Sequence, residues 1–334
     1  MAYEHLIKKI FRFYPFLLLS FFLIFVMVHF LYSTFSPIFI GEKKTIYINP
    51  GTKTWLLGQN LEKEKIIRSS FYFRFLSFLR KSKIKAGIYE FSGFYNLIDV
   101  IQILEKGGRG VKITITEGLT LKEIEDLFLK NNFKISFSKY KLADFDKVDL
   151  KNYFPPESNL EGFLAPDTYE FFPDDNEKII IEKILQNFSK KYLIEILKGI
   201  DLDPYQIIIL ASIIEKEAKN PDDFPVIAGI LLKRLKNNRL LEVDATLVYE
   251  KCGFVFCSEP LTREDLRKDS LYNTYKRLGL PPTPISNPGI LAIKSVINPI
   301  MTDYWYYITD SDGKAIFAKT FNEHQQNIKK YLKK

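Results

Sequence analysis

From Phe13 to Ile40 the chain carries no charged residue and is dense in Phe, Leu, Ile and Val. A helix needs about 20 apolar residues to cross a bilayer, so this run alone commits the N-terminal end to a membrane. Lys8, Lys9 and Arg12 precede it, and Glu42 is the first charge after it. The positive-inside rule then puts the N-terminus in the cytoplasm. A cleaved signal peptide is the rival reading, but the run is too long and no small-x-small site closes it. The expectation is a cytoplasmic tail over 1–12, a single transmembrane helix over 13–40, and nearly all the mass outside the cell membrane.

The 334 residues leave room beyond that helix for two or more small domains. The formal charge is +8, of which residues 1–44 supply +3 and the remainder +5. Such a mildly basic surface suits an anionic polymer or lipid headgroups, but it lacks the dense Lys/Arg stripe of a nucleic-acid binder. The three histidines, His5, His29 and His324, show no ligand spacing with one another or with the cysteines, so neither a metal nor another cofactor is expected. Cys252 and Cys257 are close enough to bridge in an oxidising compartment, or to serve as small buried hydrophobes; the sequence leaves both open.

Residues 45–150 read as one membrane-proximal α+β region. Lys44–Ile48 and Lys85–Phe91 have strand character, and Trp55–Arg80 divides into two helical pieces near Ser69–Ser70. A strand–turn–helix plan then occurs twice. Ala86–Gly107 has Asn96 as N-cap, Asp99 three residues on and Gly107 as the stop. Val111–Asn131 has Gly118, then Thr120 with Glu123 as a capping box, and Leu119 and Ile124 placed as a hydrophobic staple. This second copy, TITEGLTLKEIEDLF, resembles the opening of a LysM-type carbohydrate-binding module. Phe137–Asp149 reads as a linker or irregular excursion.

Residues 151–334 read as a second α+β domain. In LEGFLAPDTYEF (Leu160–Phe171), Pro166 with Asp167 and Thr168 predicts a turn, and Glu161, Asp167, Thr168 and Tyr169 are polar groups that suit a sugar. A helix over Asp175–Leu197 leads to the central one, which Asp203 and Pro204 start as N-cap and first-turn proline. Ile207–Ile214 is apolar almost all round, the mark of a buried helix. Glu215 and Glu217 follow at its C-terminal end, with Lys216 between them. Each continues an apolar stripe, where desolvation raises a carboxyl pKa, and a carboxylic acid protonated near neutral pH suits general-acid cleavage of a glycosidic bond. The alternative is a solvated last turn in which both pair with Lys216 or Lys219. Pro225–Asn237 predicts an amphipathic helix with Val226, Ile230 and Leu231 inward and Lys233, Arg234 and Lys236 outward. After Leu241–Tyr249, which carries Glu242, Asp244 and Thr246, Thr262 and Asp265 cap a short helix. The prolines and glycines between Leu278 and Gly289 then force a rigid loop. Tyr272, Asn273 and Tyr275 enter that loop as aromatics around an amide, a combination that stacks on sugar rings and hydrogen-bonds to them. A helix from Asn287–Pro288 through Ile297 follows. Tyr304–Thr309 and Ala315–Lys319 predict a hairpin turning at Ser311–Asp312–Gly313, and a terminal helix starts at Asn322.

Taken in order, LEGFLAPDTYEF, LASIIEKEA, KRLKNNRLLEVDATLVYE, YNTYKRLGLPPTPISNPG and IFAKTFNEHQQN resemble the endolytic murein transglycosylases (MltG, or YceG-like, family) from about Ile46 onward. The resemblance implies Glu215 as the catalytic acid, with Glu217 as the second acid of the motif. Asp244 and Thr246 match the family's L-Q-S-D-P-T pattern, whereas Glu242 stands for its glutamine and Ala245 for its proline. Tyr272–Tyr275 matches its YNTY motif, and Glu323 and His324 its terminal pair. The substrate-binding expectation is therefore Glu217, Asp244, Thr246, Tyr272, Asn273 and Tyr275, with Glu161 and Asp167 from the earlier motif. The fold implied is α+β: a transmembrane helix, a small LysM-like region, and a catalytic domain over 151–334. The activity implied is non-hydrolytic cleavage within peptidoglycan strands, between N-acetylmuramic acid and N-acetylglucosamine, in company with the peptidoglycan synthases (penicillin-binding proteins). A membrane-anchored wall-binding or scaffold protein without chemistry is the alternative, and a zinc-dependent wall peptidase fails for want of ligands.

Overall fold

The first helix, α1, runs over Ala2–Phe35 and contains the 20-residue stretch Phe16–Phe35, long and apolar enough to cross a membrane. The computed structural model describes residues 2–49, 51–173, 175–199, 202–310 and 313–332, with side chains from Tyr14 onward except Pro15. Met1 and the remaining side chains of the expected tail lie outside the described residues, as do Ser311 and Asp312 of the expected hairpin turn. The fold is mixed helix and sheet, and the chain separates into two compact units, residues 1–111 with 171–174 and residues 112–170 with 175–334. The two strand–turn–helix copies therefore fall in different units.

In the first unit, β1 (Ile38–Ile48) takes over directly from α1, so the last residues of the uncharged run are strand and not helix. Helices α2 (Thr54–Lys63) and α3 (Ser70–Leu79) divide at Ser69, whose hydroxyl caps α3 by accepting from the Tyr72 N–H. β2 (Gly87–Tyr95) pairs antiparallel with β1, from Ile38 opposite Tyr95 to Ile48 opposite Gly87, with an irregularity between Ile40 and Lys44. α4 (Leu97–Lys106) starts on the Asn96–Asp99 capping box. Alternation along the strands and helical spacing along α2–α4 send Leu61, Phe73, Phe91, Ile101 and Leu104 into one core.

β3 (Val111–Ile115), all but its first residue in the second unit, leads to α5 (Leu121–Lys130), which the expected Thr120–Glu123 capping box opens. Residues 137–149 are the irregular excursion of the two alternatives, and not a free linker. Two short 3₁₀ turns, Phe137–Lys139 and Leu142–Asp144, fold the segment down so that Phe137, Leu142, Phe145 and Val148 are buried. Nor do Asp167 and Thr168 form a turn. They open β4 (Asp167–Phe171), which pairs with β3, and the Thr168 and Thr114 hydroxyls meet at 2.8 Å across the pair. Burial of alternate residues Tyr169 and Phe171 outweighs the turn preference of the preceding proline.

α6 (Glu177–Phe188) continues through a π-helical turn over Ser189–Leu193 into the short α7 (Ile194–Ile196). α8 (Pro204–Glu217) starts on a capping box between Asp203 and Gln206 and buries every residue from Ile207 to Ile214. Helices α9 (Phe224–Lys236), α10 (Asp244–Lys251) and, beyond the short α11 (Arg263–Arg267), α12 (Ile290–Ile297) complete the helical set, with α9, α10 and α12 surrounding α8. The rigid loop before α12 has no regular structure and is tied to α8: the Ile285 N–H donates to the Ser212 hydroxyl, and the Ser286 hydroxyl to the Ser212 carbonyl. A hairpin of β5 (Tyr306–Thr309) and β6 (Ala315–Ala318) and the terminal α13 (Phe321–Tyr331) close the chain.

Candidate active site

The last turn of α8 emerges from a fully buried helix with Glu215, Lys216 and Glu217 at three azimuths. At 3.6 residues per turn the two glutamates stand about 200° apart, so they enter different surroundings.

Glu217 faces an open cleft. Its Oε2 accepts the Tyr307 hydroxyl at 2.9 Å, its Oε1 accepts the Ala245 N–H at 3.4 Å, and its carbonyl accepts the Thr309 hydroxyl at 3.1 Å. Asp244, the first residue of α10, accepts the Tyr275 hydroxyl at 2.5 Å. Glu217, Asp244 and Tyr275 thus line one cleft of about 630 Å³, with Arg234, Glu242, Phe256, Tyr307 and His324 in its walls. Burial pushes the Glu217 carboxyl up to about 7; the Asp244 charge acts in the same direction, and the Tyr307 hydrogen bond opposes it. A half-buried carboxyl poised there can give and take a proton at neutral pH.

The turn that presents Asp244 is held by Arg234, which is buried and not on the outer face of α9 as its spacing predicts. Its guanidinium donates to the Leu241 carbonyl at 2.7 Å, the Glu242 carboxylate at 3.0 Å and the Trp305 carbonyl at 2.9 Å. Glu242 sits at φ +50°, in the left-handed region, and its carboxylate turns to Arg234. Lys216 takes the third azimuth. Its ammonium donates to the Gly118 carbonyl at 3.1 Å and stands 3.8 Å over the Phe256 ring, and burial pulls its pKa down. Phe256 belongs to the loop that the Cys252–Cys257 disulfide closes.

Glu215 turns away from this cleft, whose lining does not include it. Its Oε2 accepts the Gly289 N–H at 2.9 Å just before α12. A Cβ at Gly289 would stand 2.1 Å from a Glu117 carboxylate oxygen, so a side chain there would push the end of Glu117 aside. Burial raises the Glu215 pKa, Glu117 adds to the rise, and the Gly289 N–H opposes it.

The remaining predicted residues lie elsewhere. Thr246 is fully buried, donating to the Val243 carbonyl at 2.9 Å and meeting Thr274 at 3.2 Å. Asn273 is equally buried, its amide donating to the Leu266 and Lys268 carbonyls at 3.1 and 2.7 Å. Both hold backbone and leave no polar atom for a sugar. Tyr272 hydrogen-bonds the Thr283 hydroxyl at 2.8 Å and lines a different cavity, of about 780 Å³. Asp167 is engaged by Lys191 at 2.7 Å and Asn187 at 2.9 Å, and the lysine holds its carboxyl below the usual range.

Glu161 is 2% exposed. It accepts the Leu121 N–H at 3.0 Å on both oxygens, the Tyr249 hydroxyl at 2.9 Å and the Asn287 amide at 3.1 Å. Asn287 in turn accepts the Leu164 N–H at 2.7 Å and donates to the Leu119 carbonyl at 2.9 Å. These two side chains stitch the start of α5, residues 161–164 and the rigid loop into one piece. Burial pushes the Glu161 carboxyl up to about 8 against those donors.

Sequence reasoning missed Tyr307 and Glu117. Period-two alternation in β5, which puts Tyr307 and Thr309 on one face, is the signal that reaches the first; nothing local marks the second.

A chain with this mixed fold, and with a buried helix that delivers an acid to a cleft, belongs to the YceG-like family, whose model matches residues 46–330. Among its relatives is the endolytic murein transglycosylase of Bacillus subtilis (strain 168), 31% identical over 324 residues that cover 90% of this chain and 88% of the relative. The protein of the same name from Streptococcus pneumoniae serotype 2 is 27% identical over 332 residues, which cover 89% of this chain and 60% of the longer relative. The crystal structure of a YceG-like protein from Listeria monocytogenes is similar at 30% identity with a TM-score of 0.56, covering 85% of this chain and 98% of that one.

Proposed function

We propose that the chain is a membrane-anchored lytic transglycosylase that cuts within peptidoglycan strands, between N-acetylmuramic acid and N-acetylglucosamine, with Glu217 as its acid. The reaction class rests on the name its Bacillus and Streptococcus relatives carry. The residue choice departs from the motif-based expectation of Glu215 and rests on one observation. Of the two glutamates, Glu217 is the one that lines the open cleft, together with Asp244 and Tyr275.

On this reading, protonated Glu217 gives its proton to the bridging oxygen as the C1–O bond breaks. The carboxylate left behind takes the proton of the muramoyl C6 hydroxyl, whose oxygen closes on C1 as a 1,6-anhydro ring. The acid is thereby regenerated without water. One carboxyl suffices because the nucleophile belongs to the substrate and is held at high effective concentration. Asp244 contributes negative charge beside a carbon that turns positive in the transition state, and Tyr275 orients Asp244. Glu215 instead pins the rigid loop through Gly289. α1 would anchor the enzyme by Phe16–Phe35 with its N-terminus in the cytoplasm, tethering it to the membrane at which new strands emerge from the peptidoglycan synthases. Cleavage there would set strand length, and the LysM-like unit at β3–α5 would help hold the glycan.

The test is digestion of purified peptidoglycan by the full chain in detergent, beside Glu217→Gln and Glu215→Gln, with products read by mass spectrometry. Anhydromuramoyl ends from the wild type and from Glu215→Gln, but not from Glu217→Gln, are expected. Reducing ends would make the enzyme a hydrolase. Loss with Glu215→Gln alone would return the acid to that position, and glycan binding without cleavage would leave a scaffold.

A further inference from the structure

α3 is amphipathic in an unusual direction. Phe73 and Ser77 point into the core of the first unit, while Phe71, Phe75, Phe78 and Leu79 lie on the opposite face, Phe78 being 81% exposed. Trp55 from α2 adds to the same surface, and Lys53, Arg74 and Lys81 rim it. Soluble proteins rarely leave so many large apolar side chains together in water. This surface is also continuous with the apolar stretch of α1. The Phe30 ring meets Tyr72 at 5.2 Å and Phe75 at 6.4 Å, His29 hydrogen-bonds the Tyr72 hydroxyl at 3.0 Å, and Leu23, Val26 and Met27 line a groove with Phe71 and Phe75.

We infer that α3 lies in the outer leaflet of the bilayer as an interfacial helix, so that the first unit is seated on the membrane by a second, lateral contact. The inference rests on α1 spanning that bilayer. Depth supports it. Phe30 precedes Phe35, the outer end of the apolar stretch, by about 7.5 Å of helix rise, and interfacial helices bury their apolar face by about 5–10 Å. Composition supports it too, because aromatic side chains rimmed by cations suit the boundary between acyl chains and anionic headgroups. At that boundary Arg68 donates to the Ser36 and Pro37 carbonyls and stands over the Tyr32 ring. Just beyond, Phe39 and Phe94 form an exposed cross-strand pair with centroids 4.8 Å apart.

Trp55 is a built-in reporter, since the only other tryptophan is Trp305. The full chain carrying Trp305→Phe would be reconstituted into phosphatidylglycerol-containing vesicles whose acyl chains are brominated either just below the headgroups or near their ends. The expected result is a blue-shifted Trp55 emission, quenched roughly twofold or more by the shallow bromines and less by the deep ones. Adding Phe71→Ser and Phe78→Ser, both at exposed positions, should remove most of that quenching. Co-flotation with vesicles after an alkaline wash reports α1 separately. A chain that floats but whose Trp55 is unquenched keeps its anchor and overturns the inference. A blue shift that grows with protein concentration but not with lipid would assign the surface to a second copy, which also overturns it. Failure to float removes the anchor and the inference together.

Discussion

Glu161 and Glu217 are both carboxyls pushed toward neutrality by burial, to about 8 and about 7, yet their surroundings differ in kind. Glu161 is sealed, and both of its oxygens are occupied by donors from α5, α10 and the rigid loop. Glu217 has Tyr307 and a long contact to Ala245, and its cleft is open. The first spends its acceptor capacity on architecture; the second keeps acceptor capacity facing the cleft. A raised pKa is common to both, so access and free hydrogen-bonding capacity separate a working acid from a structural one.

The largest effect that would sharpen this contrast is on catalysis. Glu217→Gln should lower turnover by about 10²–10⁴-fold, the range for losing a general acid–base, with an unchanged thermal melt; a merely tenfold loss would break the assignment. Glu161→Ala should do its damage to folding. It strands the Leu121 N–H, the Tyr249 hydroxyl and the Asn287 amide without an acceptor, at roughly 1–3 kcal/mol for each buried group left unsatisfied. A fall in Tm of roughly 10 °C is expected in a calorimetric scan, and an unshifted melt would refute the stitching role. The pH dependence follows with its own sign. The folded state holds the Glu161 proton up to about 8, whereas the unfolded chain releases it near the ordinary 4.5. Between those values the native state binds the extra proton, so unfolding free energy falls as pH rises, by about 1.4 kcal/mol per pH unit. Denaturant titrations across that window would show the slope, and Glu161→Gln should reduce it, leaving below about 7 the part that Glu217 contributes.

Local chemistry made much of the fold legible. The helix caps at Asn96, Thr120, Asp203 and Thr262 all form where residue types and spacing place them, because a cap is satisfied within one turn of chain. The candidate cleft was legible in part, since Glu217, Asp244 and Tyr275 line it while Tyr272 lines another cavity. Burial of α8 on every side made the apolar-stripe argument apply equally to Glu215 and Glu217. Only distant segments, Gly118 and Gly289 on one flank and Tyr307 on the other, decide which acid lines the cleft. Asn273 and Thr246 look like sugar-binding groups by type, yet they serve backbone carbonyls, and the same amide or hydroxyl meets either need. For residues 137–149 the irregular excursion was among the readings, but the charge count hid that Phe137 and Phe145 fold it down.

The smallest effects test the cleft most finely, because two neighbours of Glu217 push its pKa in opposite directions. Asp244 raises it by repulsion between like charges, whereas the Tyr307 hydroxyl lowers it by stabilising the carboxylate. In the proposed mechanism the active form is the protonated one, so activity should decline as pH rises through about 7. Asp244→Asn should move that falling limb to lower pH, and it should also cost rate if the carboxylate faces the sugar cation. Tyr307→Phe should move the limb to higher pH while changing the plateau only a few-fold, the loss expected for one hydrogen bond of about 1 kcal/mol. Initial rates of strand cleavage from pH 5 to 9 would read both shifts. Movement of the two limbs in the same direction would mean that the titrating acid is not the one between Asp244 and Tyr307, and Glu217 would lose its place at the centre of the cleft.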